Sequence, residues 1–72
     1  MRVGIISGYF NPLHTGHLDY IEGAKEKCDL LYVIVNSDHQ VGLKGSKKFM
    51  DEDSRLRIVR ALGCVQKAMI SI

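Results

Sequence analysis

His14 and His17 stand three residues apart in the stretch "SGYFNPLHTGH", which runs from Ser7 to His17 directly behind the apolar run "VGII". At the start of a helix this spacing puts both imidazoles on one face, where they can donate to one anion together. Gly16 between them removes a side chain that would crowd that anion, and Gly8 permits a tight turn and close approach of the backbone to a ligand. A strand-to-helix junction of this kind gathers unpaired helix N–H groups at the positive end of the helix dipole. The chemistry suggested is phosphate binding. Lys44, in the basic stretch "LKGSKK" at 43–48, adds a full positive charge from a neighbouring loop. Two adjacent imidazoles suit paired donation to non-bridging phosphate oxygens better than a single acid–base pair.

A lone histidine at a helix start is ordinarily structural or merely exposed. What favours function here is the continuous set of strand, Gly8, Phe10, His14, Gly16 and His17. Other site types fail. "KGSKK" lacks the glycine that a phosphate loop carries five residues ahead, and the three spaced glycines of a dinucleotide fingerprint are absent. No serine or cysteine has the surroundings of an activated nucleophile. His14 and His17 lack the third ligand and four-residue spacing of a common helical zinc site. Cys28 and Cys64 match no metal or redox spacing and read as small buried thiols near helix ends, in a reducing compartment.

The elements that must position these residues follow from local pattern. Arg2–Ser7, "RVGIIS", is β-branched with a turn signal behind it and reads as a strand. Leu18, Ile21, Ala24 and Cys28 recur at helical spacing, predicting a helix over about 15–28, with Pro12 just ahead of it. Leu30–Val35, "LLYVIV", is apolar throughout, as in a parallel strand covered on both faces. Asn36–Met50 reads as a loop. Asp51 caps a second helix whose first turn carries Glu52 and Asp53. Leu56, Val59 and Leu62 form its buried stripe, and Gly63 stands where a left-handed C-terminal residue is wanted. "AMISI" closes the chain as a third strand.

The order β-α-β-α-β predicts an α/β chain with a Rossmann-like parallel sheet, half of a doubly wound fold. Residues 1–72 form a single domain that reads as the N-terminal part of a longer one. The carboxyl ends of the strands should then gather Gly8–His17, Asn36–Asp38 and the Lys44 loop. The first strand is expected at an edge of the sheet, where "VGII" is too apolar to face water, so further chain or another subunit should cover it. With 46% hydrophobic and 25% charged residues the chain is ordinary for a globular protein. Its net charge of +2 is too slight to argue for nucleic acid. No apolar run reaches the roughly 20 residues that span a bilayer, and a cytoplasmic location is expected.

At "GYFNPLHTGH" the sequence resembles the nucleotidyltransferase superfamily, with its Gly-x-Phe-x-x-x-His-x-Gly-His run. Class I aminoacyl-tRNA synthetases share a related element but are far longer. The likeness continues through "VNSD" at 35–38, "LKG" at 43–45 and "DSRLRIVRAL" at 53–62. These later segments are similar to the branch of glycerol-3-phosphate and ethanolamine-phosphate cytidylyltransferases and of the nucleotidyl-transfer domain of ADP-heptose synthases. "HLDYI" is also similar to phosphopantetheine adenylyltransferases.

The resemblance implies transfer of CMP or AMP from a nucleoside triphosphate to a phosphorylated small molecule, with release of pyrophosphate and with Mg²⁺ accompanying the triphosphate. It implies His14, His17 and Lys44 as catalytic residues, and Gly8, Tyr9, Phe10, Asn11, Gly16 and Asp38 around the nucleotide. A homodimer is the expected assembly. Asp38 has a turn-forming role as an equal reading. Arg55 is expected in an ion pair that holds its helix, with a substrate contact as the alternative, and Tyr20 and Tyr32 in packing. Asn11 stands where many relatives carry aspartate. The family's C-terminal Ser/Thr-rich motif has no counterpart in these residues, so the alternative function is a catalytically incomplete phosphate- or nucleotide-binding fragment. An assembly protein pairing through its exposed strand edge is a third class.

Overall fold

A computed structural model describes residues 1–45, 47 and 50–71, with the backbone alone at Lys44. Three parallel strands, β1 (Val3–Gly8), β2 (Leu30–Val35) and β3 (Lys67–Ile70), form one sheet in the order β1-β2-β3. The chain is an α/β fold of the Rossmann-like kind, with β1 at an edge as expected. The register pairs Val3 with Leu30, Gly8 with Val35, and Val35 with Ile70. The ladder continues one residue past the strands, where the Asn36 N–H donates to the Gly8 carbonyl and the Ser71 N–H to that of Val35. All three strands therefore end level at one edge of the sheet.

Helix α1 (Thr15–Lys25) joins β1 to β2, and α3 (Glu52–Arg60) precedes β3. Ile21 from α1 and Val59 from α3 pack with Leu31, Val33, Val35 and Ala68 in a single core. Because side chains alternate along a strand, this core takes only one face of β2. Leu30, Tyr32 and Ile34 on the other face are half-buried. On the same face of β1, Val3 is 50% and Ile5 65% exposed. The expectation of a strand covered on both faces is thus corrected: α1 and α3 both pack on the Leu31–Val33–Val35 side. Cys28 and Cys64 are free and half-buried beside the core.

Three further boundaries differ from the sequence reading. The segment 36–50 holds a helix, α2 (Asp38–Lys44), where a loop was expected. Ser37 and Gln40 form a capping box at its start, and Gly45 at φ 81° closes it in the left-handed region that glycine adopts without steric cost. Helix α1 ends at Lys25 rather than near Cys28, passing through tighter turns to reach β2. Helix α3 ends at Arg60 with Ala61 as a right-handed cap, so Gly63 is not a left-handed terminator. Asp51 caps α3 as expected, its Oδ1 accepting the Ser54 N–H at 2.7 Å. Among the described residues no helix is long and apolar enough to cross a membrane.

Candidate functional site

The turn after β1 is built around Phe10. Its ring is buried in the core and its backbone sits at φ 51°, uncommon for a residue with a side chain. The ring lies so close above Gly8 that a Cβ there would stand 2.8 Å from Phe10 Cζ. Glycine at position 8 therefore makes room for Phe10, and its φ is not in the positive region. The Phe10 ring meets that of His17 edge-on, at 5.2 Å between centroids and 77° between planes, which orients the imidazole.

His14 is the N-cap of α1, in extended conformation at φ −141° and ψ 179°. Its Nδ1 accepts the Gly16 N–H at 3.0 Å, and the Nδ1 of His17 accepts the His14 N–H at 3.2 Å. The two histidines thus form a reciprocal capping box, normally the work of Ser or Thr with Glu or Gln. An accepting Nδ1 puts the proton of the neutral ring on Nε2. Both Nε2–H groups are left as donors on rings 4.0 Å apart and tilted by 34°. A Cβ at Gly16 would stand 2.8 Å from His14 Cε1, so Gly16 clears space for the imidazole rather than for the anion directly.

This arrangement corrects one expectation about donors. The N–H groups of His14 and Gly16 go to the imidazoles, and that of His17 goes to the His14 carbonyl at 2.9 Å. The first turn of α1 therefore presents imidazole N–H groups in place of these backbone ones, while the helix dipole still favours an anion there. Burial of the ring, and second the proximity of His14, hold His17 below the ordinary imidazole value.

Gly8, Tyr9, Phe10, Asn11, Pro12, His14, His17 and Tyr20 line a cleft of about 330 Å³ at this junction, within the usual range for small-ligand sites. Six of the residues expected at the site are thereby brought together, and Gly16 adjoins them. Tyr20, expected in packing, is half-exposed and lines the cleft. Asp38 does not line it. The Lys44 side chain lies outside the described residues.

Arg55 holds the loops around the cleft. It is fully buried, and its Nη1 donates to the carbonyls of Tyr9 and Asn36, each at 2.7 Å. Its Nε donates to the Met50 carbonyl at 3.0 Å, and its Nη2 pairs with Asp38 Oδ1 at 2.7 Å. The expected ion pair is present, and Asp38 shapes the site through it. The guanidinium ties the ends of β1 and β2 to the entry of α3. The available signal was spacing: Arg55, Val59 and Leu62 share one helical face as well as Leu56, Val59 and Leu62 do. The Glu52 carboxylate adds a second link by accepting the Asp38 N–H at 2.9 Å.

Residues 5–71 match the cytidylyltransferase-like family. The chain belongs to that family. Bifunctional protein HldE of Nitrobacter hamburgensis is 39% identical over 72 residues, covering 97% of this chain and 15% of the relative. FAD synthase of Methanoculleus marisnigri is 42% identical over 66 residues, covering 92% of this chain and 44% of the relative. The crystal structure of the lipopolysaccharide core biosynthesis protein from Thermoplasma volcanium superposes with a TM-score of 0.94 at 32% identity, over all of this chain and 59% of that one. This cytidylyltransferase-like chain therefore spans less than half of these two curated relatives and under two thirds of the solved structure.

Proposed function

We propose that this cytidylyltransferase-like chain binds a nucleoside triphosphate and takes part in moving CMP or AMP to a phosphorylated small molecule. An acceptor phosphate oxygen attacks the α-phosphorus, the α–β phosphoanhydride bond breaks, and pyrophosphate leaves. The nucleophile is already anionic, so no general base is needed. What the reaction demands is alignment of two polyanions and stabilisation of the charge developing on the α-phosphate and the leaving group.

The observation that carries this reading is the pair of Nε2–H donors on the reciprocally capped rings that line the cleft. His14 and His17 donate to non-bridging oxygens, and the Gly8–Phe10 backbone flanks the nucleotide. Lys44 supplies a cation by resemblance. Among the described residues no three His, Cys, Asp or Glu side chains converge as a metal site. Asp38 is engaged by Arg55, and Asn11 Oδ1 by the Met50 N–H. Mg²⁺ would accompany the triphosphate, held mainly by the phosphate oxygens, and would offset part of their charge.

The relatives support the class of reaction, and the assay decides base and acceptor. Pyrophosphate release is measured with CTP or ATP and a panel of phosphorylated acceptors. His14→Ala and His17→Ala abolish release and weaken triphosphate binding. Unchanged behaviour of both overturns the reading. Triphosphate binding without turnover supports the second reading, a catalytically incomplete phosphate- or nucleotide-binding fragment.

A further inference from the structure

Asn11 lines the cleft, yet both ends of its amide are engaged by the segment that leads into α3. Its Nδ2 donates to the Lys47 carbonyl at 2.6 Å, and its Oδ1 accepts the Met50 N–H at 3.1 Å. These partners lie 36 and 39 residues along the chain. The Met50 carbonyl in turn accepts from Arg55 Nε, and Arg55 Nη1 returns to the Tyr9 carbonyl. The circuit Tyr9–Asn11–Met50–Arg55 is closed. It holds Met50 at both its N–H and its carbonyl and joins the turn after β1 to the chain before α3.

The chemistry of this circuit discriminates between two nearly isosteric side chains. The Lys47 carbonyl can only accept, so its partner must carry a proton. An ionised aspartate at position 11 would still accept from the Met50 N–H, but it would set two oxygens against each other at Lys47. We infer that Asn11 is a positioning residue whose uncharged amide ties the turn that lines the cleft to the Lys47 carbonyl and the Met50 N–H, so that triphosphate affinity depends on a hydrogen-bond donor at position 11. The inference rests on the nucleotide reading above and adds to it a reason for asparagine.

Inorganic tripolyphosphate is titrated calorimetrically into the full chain, its Asn11→Ala variant and its Asn11→Asp variant, at pH 8 and pH 5. Hydrogen exchange at the Met50 amide is followed in parallel. The ionisable side chains of Tyr9, His14, His17 and Tyr20 also line the cleft, and Lys47 and Arg55 adjoin the circuit, so each variant is compared with the unmodified chain at the same pH. Both variants are expected to lose about tenfold in affinity or more at pH 8, the scale of one or two hydrogen bonds. At pH 5 the carboxyl that Asn11→Asp introduces, set against a carbonyl oxygen, takes up a proton and donates it to Lys47. Asn11→Asp therefore regains affinity on acidification while Asn11→Ala does not. Met50 exchange is expected to accelerate in Asn11→Ala and to stay slow in Asn11→Asp. If Asn11→Ala fails to fold, the pH dependence of Asn11→Asp decides alone. Full affinity in Asn11→Ala, or in Asn11→Asp at pH 8, overturns the inference while leaving the nucleotide reading intact. Failure of the unmodified chain to bind tripolyphosphate overturns both.

Discussion

His14 and His17 cap one another: each imidazole accepts a backbone N–H at Nδ1, from Gly16 and from His14 respectively, which leaves the Nε2–H of the neutral ring on the opposite edge. The capping contacts thus fall on one edge of each ring and the donor of the proposed phosphate contact on the other. His14→Asn and His17→Gln retain acceptors for those two backbone groups and remove the Nε2–H donors. Stability in urea should change by no more than about 1 kcal/mol per variant, the scale of an N-cap. Nucleoside triphosphate affinity should fall by about tenfold to a hundredfold for each, the scale of a charge-assisted hydrogen bond. Chemical denaturation and calorimetric titration read the two effects separately.

Because His17 is held below its ordinary value of 6.5, the folded state favours the neutral ring. Its contribution to stability is fully present above pH 6.5 and is lost as the pH falls through the lower folded value. Protonation at Nδ1 also removes the acceptor for the His14 N–H. Melting temperature is therefore expected to drop more steeply on acidification in the unmodified chain than in His17→Gln. Parallel slopes below pH 6.5 would exclude His17 as the titrating group.

Arg55 satisfies three carbonyls and Asp38 from a fully buried position. Arg55→Ala leaves those acceptors without their donor, at a cost on the order of 3–5 kcal/mol. In a domain this small that is a large part of the total stability. Asp38→Asn keeps an acceptor for Nη2 beside a half-buried partner and should cost about 1 kcal/mol. Urea denaturation of the two variants tests the ranking; the two costs converge if the ion pair matters more than the carbonyl contacts.

Gly16→Ala opposes two effects of similar size. Alanine in place of glycine favours the helix by at most about 1 kcal/mol. The new Cβ, 2.8 Å from His14 Cε1, displaces the ring and weakens a cap worth about the same. Net stability should hardly move while triphosphate affinity falls, because the His14 donor is re-aimed. Gly8→Ala differs: its Cβ meets the buried Phe10 ring, and overpacking should cost about 1–3 kcal/mol with no compensating gain. Melting curves of the pair should separate clearly.

Much of this protein was readable along the chain. Short-range pattern located the three strands, the starts of α1 and α3 and the placing of His14 and His17 on one face, because helical and strand periods are local properties. Helix α2 was equally readable from Ser37 and Gln40, three residues apart, followed by Gly45; the polar, glycine-containing composition of the segment hid it. The placing of Arg55 was not legible in this way. Its helical spacing fits the buried face as well as Leu56 does, and a charge is normally assigned to water. It is buried because the register of β1 on β2 brings the carbonyls of Tyr9 and Asn36 within reach of one guanidinium.

Residue type and short-range spacing thus settled the three strands, α1 and α3, their order and the pairing of two imidazoles. Three-dimensional packing settled which donors remain for a ligand, which face of the sheet is covered and what Asn11 holds. The physical reason is range. A side chain's period depends on its neighbours in the chain, whereas a polar atom's partner depends on which distant carbonyl or N–H the sheet carries to it.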